Sequence, residues 1–446
     1  MNIALCSWES MYSVAVGGLA AHVSELATSL ARRGHDVHVF TRMGERQQRY
    51  SFLDGVHYHR CPFDAGSDFA TYAKRMCDSF VWHLVETEAF LNRPFDIVHG
   101  HDWMAVPALV RMKNEYGRHV VFTVHSTEYG RCGNSFPDSP MSGHIRHLEW
   151  EGAYVAERVI CVSKSLAREI QWCYSVPADK VFTVYNGVDI SKFKGRIDGR
   201  RVRRLYEIGA DDPTVLFAGR MAWQKGPDLL VEALPGVLAE FPRAKVLFAG
   251  DGDMRPGLES RVAAIGHAGQ TRFVGHQSGQ SLVNLFKSSD IICVPSRNEP
   301  FGIVILEAWS ARRPVVATRT GGPAEFVRDN QNGITVDLGV AEVGQGLRRL
   351  LGDRAGARRM GSNGRREAEL RFTWAHAARA TEALYESISS GIAPPAEKKM
   401  RANPRRQPRV DAGSVVGLTE RPAEVPVDEL MTPESEEFAH FELAAV

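Results

Sequence analysis

Short apolar runs recur along this chain, and several end in glycine just before a helical pattern starts. Asn2 to Ser7 is followed by Gly17-Gly18 and a helix from about Ala20 to Arg33; Leu19, Val23, Leu26 and Leu30 form its apolar stripe. Thr214 to Ala218 runs into Gly219, a polar loop and a helix to about Phe241. Asp290 to Pro295 runs into a polar loop, Gly302 and the apolar run Ile303 to Ala308. Strand, glycine and helix in alternation is the pattern of a doubly wound parallel α/β sheet. Such sheets bind ligands beyond the carboxyl ends of their strands, where helix N-termini offer unpaired N–H groups.

Further strands are expected at 37–41, 56–61, 95–99, 120–124, 158–163 and 181–185, and in the second half at 245–249, 271–274, 315–318 and 334–336. A long helix is expected at 69–91. The Arg-rich stretch from Gly195 to Gly209 reads as a linker carrying a first helix. We therefore expect a Rossmann-like domain at 1–195 and a second at 196–372. A helix over 357–370 reads as interrupted by Gly361 and Gly364, and a last helix over 373–389 is N-capped by Thr373. Its apolar face, from Trp374 to Ile388, needs a surface to cover it. Prolines then cluster, and a basic segment (398–409) precedes an acidic one (428–442), so 390–446 reads as a disordered, solvated tail.

The 446 residues suffice for two or three domains. A net charge of +1 gives no global field that would draw nucleic acid, and leaves at most a weak peripheral membrane contact through the basic tail segment. The seven cysteines form no C-x-x-C pair, and Cys6, Cys161 and Cys293 fall in apolar strands, as in a reducing cytoplasm. The N-terminal run lacks a basic flank and reads as a strand rather than a signal peptide. No apolar run reaches the ~18 residues of a membrane span.

Candidate site residues follow from strand ends. Glu299 and Glu307 bracket the turn into the helix at Ile303, where free N–H groups and the positive dipole end of the helix would meet an anion. Arg220 and Lys225 add two cations to the loop after 214–218, one suited to bidentate phosphate binding and one a point charge. Asp102 and His125 stand at the carboxyl ends of first-half strands, and Gly17-Gly18 allows close backbone approach. Gly250-Asp251-Gly252 lacks the spacing of a dinucleotide fingerprint. His99 and His101 have no third ligand nearby in sequence, so no metal is expected.

Taken in order, Gly17-Gly18-Leu19, His101-Asp102-Trp103, Thr123-Val124-His125, Asn186-Gly187-Val188-Asp189, Gly219-Arg220 with Lys225-Gly226, and Glu299-Pro300-Phe301-Gly302-Ile303 with Glu307 resemble the retaining glycosyltransferases of family 4 and, beside them, the bacterial and archaeal glycogen synthases. The resemblance covers Met1 to about Ser389. It implies a GT-B fold whose last helix crosses back onto the N-terminal domain. It also implies a nucleotide-diphosphate sugar as donor, a carbohydrate acceptor, and neither cofactor nor metal. Arg220 and Lys225 would hold the leaving diphosphate, and Glu307 the ribose. Glu299, with the amides of Phe301, Gly302 and Ile303, would hold the donor sugar. His125 and Asp102 would contact that sugar, and the Gly17-Gly18 backbone would approach the diphosphate.

Glycogen synthases carry a lysine two residues before the paired glycines, where this chain has Ala15. The run His125 to Arg131 nevertheless resembles the synthases more than lipid mannosyltransferases. The expected activity is transfer of a hexose, glucose first, to an α-glucan. Exopolysaccharide, glycolipid or disaccharide acceptors, a nucleotide-sugar 2-epimerase, and a catalytically silent sugar-binding protein are the alternatives.

Overall fold

The computed structural model describes residues 1–390 apart from Val16 and Ser67. The tail expected at 390–446 lies, beyond Ser390, outside the described residues. The first sheet holds β1 (Asn2–Ser7), β2 (Asp36–Arg42), β3 (Tyr50–Leu53), β4 (Val56–Cys61), β5 (Ile97–His101), β6 (Val120–Val124), β7 (Arg158–Cys161) and β8 (Val181–Thr183), in the order β3-β4-β2-β1-β5-β6-β7-β8. The second holds β9 (Thr214–Ala218), β10 (Lys245–Ala249), β11 (Thr271–Gly275), β12 (Ile291–Val294), β13 (Val315–Thr318) and β14 (Ile334–Val336), in the order β11-β10-β9-β12-β13-β14. Central strands such as β1, β6 and β12 are buried along their whole length, which is why they read as continuous apolar runs. The strand order reverses at β1/β5 and at β9/β12. Each reversal opens a crevice at the carboxyl ends of those strands. The loops that follow them carry Gly17-Gly18, Asp102, Arg220 to Lys225 and Glu299, so the topology gathers residues that are far apart in sequence.

Both sheets are built on parallel strands as expected, and the first carries one strand more than the sequence reading lists: β3 pairs antiparallel with β4. Asp54 and Gly55 both take positive φ (53° and 79°) and close a two-residue hairpin there. One expectation needs correction: Gly361 and Gly364 do not interrupt their helix, which runs unbroken from Arg354 to Arg371. A Cβ at Gly361 would stand 2.2 Å from the Arg312 carbonyl oxygen, and one at Gly364 2.2 Å from Trp309 Cδ1. These glycines let the helix lie against Ile303–Ser310, the helix that begins at the candidate anion site.

The last helix, Trp374–Ser390, buries Trp374, Ala377, Ala378, Thr381, Leu384 and Tyr385 and packs on helix Gly18–Ala31 of the first half. Tyr385 reaches further in, with its hydroxyl 2.6 Å from Nδ1 of the buried His99. Gly187 is needed where the chain returns, since a Cβ there would lie 2.3 Å from the Trp374 nitrogen. Among the described residues no helix is long and apolar enough to cross a membrane.

Candidate active site

One wall of the cleft is built on β9 and β12. After β9 the chain makes a short turn over Trp223–Lys225, and Gly226 (φ 64°) starts helix Pro227–Glu240. A Cβ on Gly226 would strike the Pro295 carbonyl at 2.3 Å, so this loop is wedged against the end of β12. That contact brings Lys225 to Glu299: Nζ lies 3.1 and 3.0 Å from the two carboxylate oxygens. Ser296 Oγ donates to the same carboxylate at 2.9 Å, and Glu299 is only 5% exposed. Beneath it, Gly322 N donates to the Glu299 carbonyl at 2.8 Å, and the space beside Gly321 admits no Cβ. The Gly321-Gly322 turn thus fixes the backbone that leads into Phe301 and Gly302.

Gly302 (φ 96°) ends the turn and precedes helix Ile303–Ser310, whose first N–H groups receive no side-chain cap. Glu307 stands about one turn in. Burial pushes its carboxyl up to about 7, and Lys192 offsets part of the rise. Burial pulls the half-buried Arg220 guanidinium below its ordinary value; nearby Arg131 adds to this and Asp253 opposes it. A desolvated cation crowded by a second one is a site that gains from an incoming anion.

The other wall rests on β1, β5 and β6. The buried Glu9 carboxylate accepts from Gly17 N at 3.0 Å and holds the glycine turn. A Cβ on Gly18 would lie 3.7 Å from Ile303 Cδ1, so the paired glycines face the uncapped helix start of the opposite wall. Asp102 takes φ 59°, an uncommon conformation for a residue with a side chain. Its nitrogen donates to the Thr123 carbonyl at 2.9 Å, and its Oδ1 accepts from His125 N at 2.8 Å. Burial raises its carboxyl to about 6, with Arg131 pulling the other way. The carboxylate is thereby spent on the backbone that carries His125. The His125 ring places Nε2 3.3 Å from His101 Nδ1, and burial lowers its pKa to about 3, so it is neutral at pH 7.

Of the expected residues, Arg220, Lys225, Glu299, Phe301 to Ile303 and Glu307 form the second-sheet wall, and Gly17, Gly18, Asp102 and His125 the facing one. Sequence reasoning passed over four others. His22 packs edge-on to His125 at 4.4 Å and is held by Asn186 Oδ1 at 2.9 Å. Its one signal was position, a helical turn beyond Gly18. Ser296 gave no signal, and Arg131 entered only as the end of the run that starts at His125. Arg131 is buried against Glu149 (2.7 Å) and Glu128 (3.2 Å), and Glu149 comes from helix Pro140–Val155, which the sequence reading did not foresee.

Two α/β sheets facing each other through their switch points, with an anion-ready helix start across from a glycine turn, make this a GT-B protein. Residues 16–192 match the model of Glycosyltransferase Family 4, and residues 200–367 that of Glycosyl transferases group 1. An uncharacterised glycosyltransferase of Methanocaldococcus jannaschii is 34% identical over 394 residues, covering 86% of this chain and 98% of its own length. A glycogen synthase of Mycobacterium tuberculosis is 28% identical over 408 residues, covering 88% of this chain and 96% of its own. The sucrose-phosphate synthase of Thermosynechococcus elongatus has the same fold, with a TM-score of 0.74 at 23% identity over 87% of this chain and 99% of that one. The chain belongs to glycosyltransferase family 4 and is a nucleotide-sugar-dependent glycosyltransferase.

Proposed function

We propose that this enzyme moves a hexose, glucose first, from a nucleotide-diphosphate sugar to a carbohydrate acceptor of the α-glucan type, with retention at the anomeric carbon. The observation that carries the reading is the Lys225–Glu299 pair beside the uncapped helix start at Ile303, facing the Gly18 turn. Likeness to a glycogen synthase over nearly its full length supports the glucan. Residues 1–195 with 373–389 act as the acceptor-side domain and 196–372 as the donor domain. The unpaired thiols suit a reducing cytoplasm.

The chemistry follows from charge. As the glycosidic bond breaks, the diphosphate gains negative charge. Arg220, Lys225 and the helix N–H groups then bind the transition state more strongly than the ground state. Glu299 holds Lys225 in place before the donor arrives and accepts sugar hydroxyls afterwards. Glu307 accepts the two ribose hydroxyls. The neutral His125 imidazole meets the donor sugar, and Asp102 positions it through the 125 backbone instead of touching the sugar itself.

A panel of sugar nucleotides, with and without glucans, tests the reading by nucleotide release. Release that requires a glucan supports it. Release that requires a lipid or disaccharide acceptor replaces the glucan, an epimerised sugar released without acceptor replaces transfer, and no release from any donor marks a silent protein. Lys225→Ala is expected to slow transfer by ~10²-fold or more, the scale of losing one transition-state charge contact. Unchanged turnover would remove Lys225 from the diphosphate site.

A further inference from the structure

The clearest grouping the reaction does not use lies at the opposite end of the first sheet, at the amino ends of β2 and β4. Side chains two apart on a strand share a face, so Asp36 and His38 project together. The β2–β4 register sets His57 directly across from His38 and completes a cluster of one carboxylate and two imidazoles. Asp36 Oδ1 stands 3.3 Å from His38 Nε2 and 3.5 Å from His57 Nε2. Around a tetrahedral ion with bonds of ~2.0–2.1 Å, ligand atoms stand roughly 3.3–3.5 Å apart. All three donor atoms lie within 4.8 Å of one another.

Two further observations point to a ligand here. His38 is buried, and its Nε2 is aimed at the Asp36 carboxylate, 3.3 Å from Oδ1. The far nitrogens of both rings are occupied: His57 Nδ1 meets the Tyr50 hydroxyl at 2.8 Å, and His38 Nδ1 meets His59 Nε2 at 3.0 Å. A proton on each Nδ1 would donate outward and leave both Nε2 lone pairs facing Asp36, the outer-shell arrangement that orients metal-binding histidines. Asp36 (43% exposed) and His57 (29%) give an ion access from solvent.

We propose that Asp36, His38 and His57 bind one borderline divalent cation of the Zn2+ class, with water in the remaining position. Two imidazoles and one carboxylate suit such an ion better than Mg2+ or Ca2+. The His38 and His57 rings stack at 4.4 Å and 10°, so binding turns the half-exposed His57 ring toward the shared carboxylate oxygen. The ion would tie β2 to β4, next to His35, which holds Glu382 of the last helix at 2.8 Å. It therefore acts on stability and leaves sugar transfer untouched. Sequence spacing hid the site, because only the strand register brings His57 to the Asp36-x-His38 pair.

The test is Zn2+ binding to the full chain, stripped with a chelator, by equilibrium dialysis, with Co2+ as a spectroscopic probe. The wild type is expected to bind Zn2+ at this site, to show the visible bands of four-coordinate cobalt, and to melt at a higher temperature with Zn2+. His57→Gln and Asp36→Asn change accessible side chains that the core does not need. Each is expected to weaken binding by ~100-fold or more, above the effect of losing an outer-shell partner, and His57→Gln keeps wild-type transfer. His125→Ala is expected to bind the ion normally. Absence of binding in the wild type overturns the proposal, as does wild-type affinity in both His57→Gln and Asp36→Asn. Loss of binding in His125→Ala alone overturns it in favour of the cleft cluster His22, His101 and His125.

Discussion

At the scale of single residues, the site is a set of charges whose states depend on burial. Glu307 is the sharpest case. Its carboxyl is raised to about 7 by desolvation, and the ionised form accepts from the two ribose hydroxyls more strongly than the neutral acid, which has given up acceptor capacity to an O–H donor. Nucleoside-diphosphate affinity should therefore fall as pH drops from 8 to 6 in the wild type, and fall less in Glu307→Gln, as read by calorimetry at each pH. The stability effect has the opposite direction. A folded pKa raised above the unfolded one gives stability that is present below the unfolded pKa and lost as pH rises through about 7. Glu307→Gln should thus melt above the wild type at pH 8 and lose that advantage at pH 4.5; equal melting at both values would mean the carboxyl is not perturbed. Strand-end position was enough to nominate Glu299, Lys225, Asp102 and His125. It did not reveal that Lys225 and Glu299 pair, or that Asp102 serves the 125 backbone, because both depend on how loops from non-adjacent sequence pack together.

Among the elements, the parallel strands and the helices behind them were legible because each is buried along its length or along one stripe. The antiparallel β3 was missed although Asp54-Gly55 carries the signature of a two-residue hairpin; its strand is short and largely exposed. Gly361 and Gly364 were misread for a different reason. Glycine lowers helix propensity, yet here tertiary contact with Arg312 and Trp309 decides. Gly364→Ala should destabilise the protein by about 1–3 kcal/mol, the range for overpacking a tight contact, in a denaturant titration. An unaltered midpoint would show that Trp309 can give way. Tyr385→Phe should cost about 1–3 kcal/mol, because it leaves the buried His99 Nδ1 without its partner.

Across the whole molecule, the two halves are joined by more than the returning helix. Glu325, just after the Gly321-Gly322 turn, accepts from Ser165 N at 2.7 Å, Lys164 N at 3.2 Å and the Tyr185 hydroxyl at 2.9 Å. The second half thus caps a helix of the first, and the same short segment supports the Glu299 backbone. Glu325→Gln should raise the donor KM more than it lowers kcat, since it loosens the link between the two halves without touching the cations. A fall in kcat alone would place Glu325 elsewhere in the cycle. The central claim is that Arg220 and Lys225, with the helix start at Ile303, form a diphosphate site. Calorimetric titration of uridine, adenosine and guanosine diphosphates into wild type and Lys225→Ala tests it most directly. At least one should bind the wild type at one per chain and bind Lys225→Ala about 10- to 100-fold more weakly, the worth of one charge-assisted hydrogen bond. Equal affinity of both proteins for every nucleotide would contradict the account.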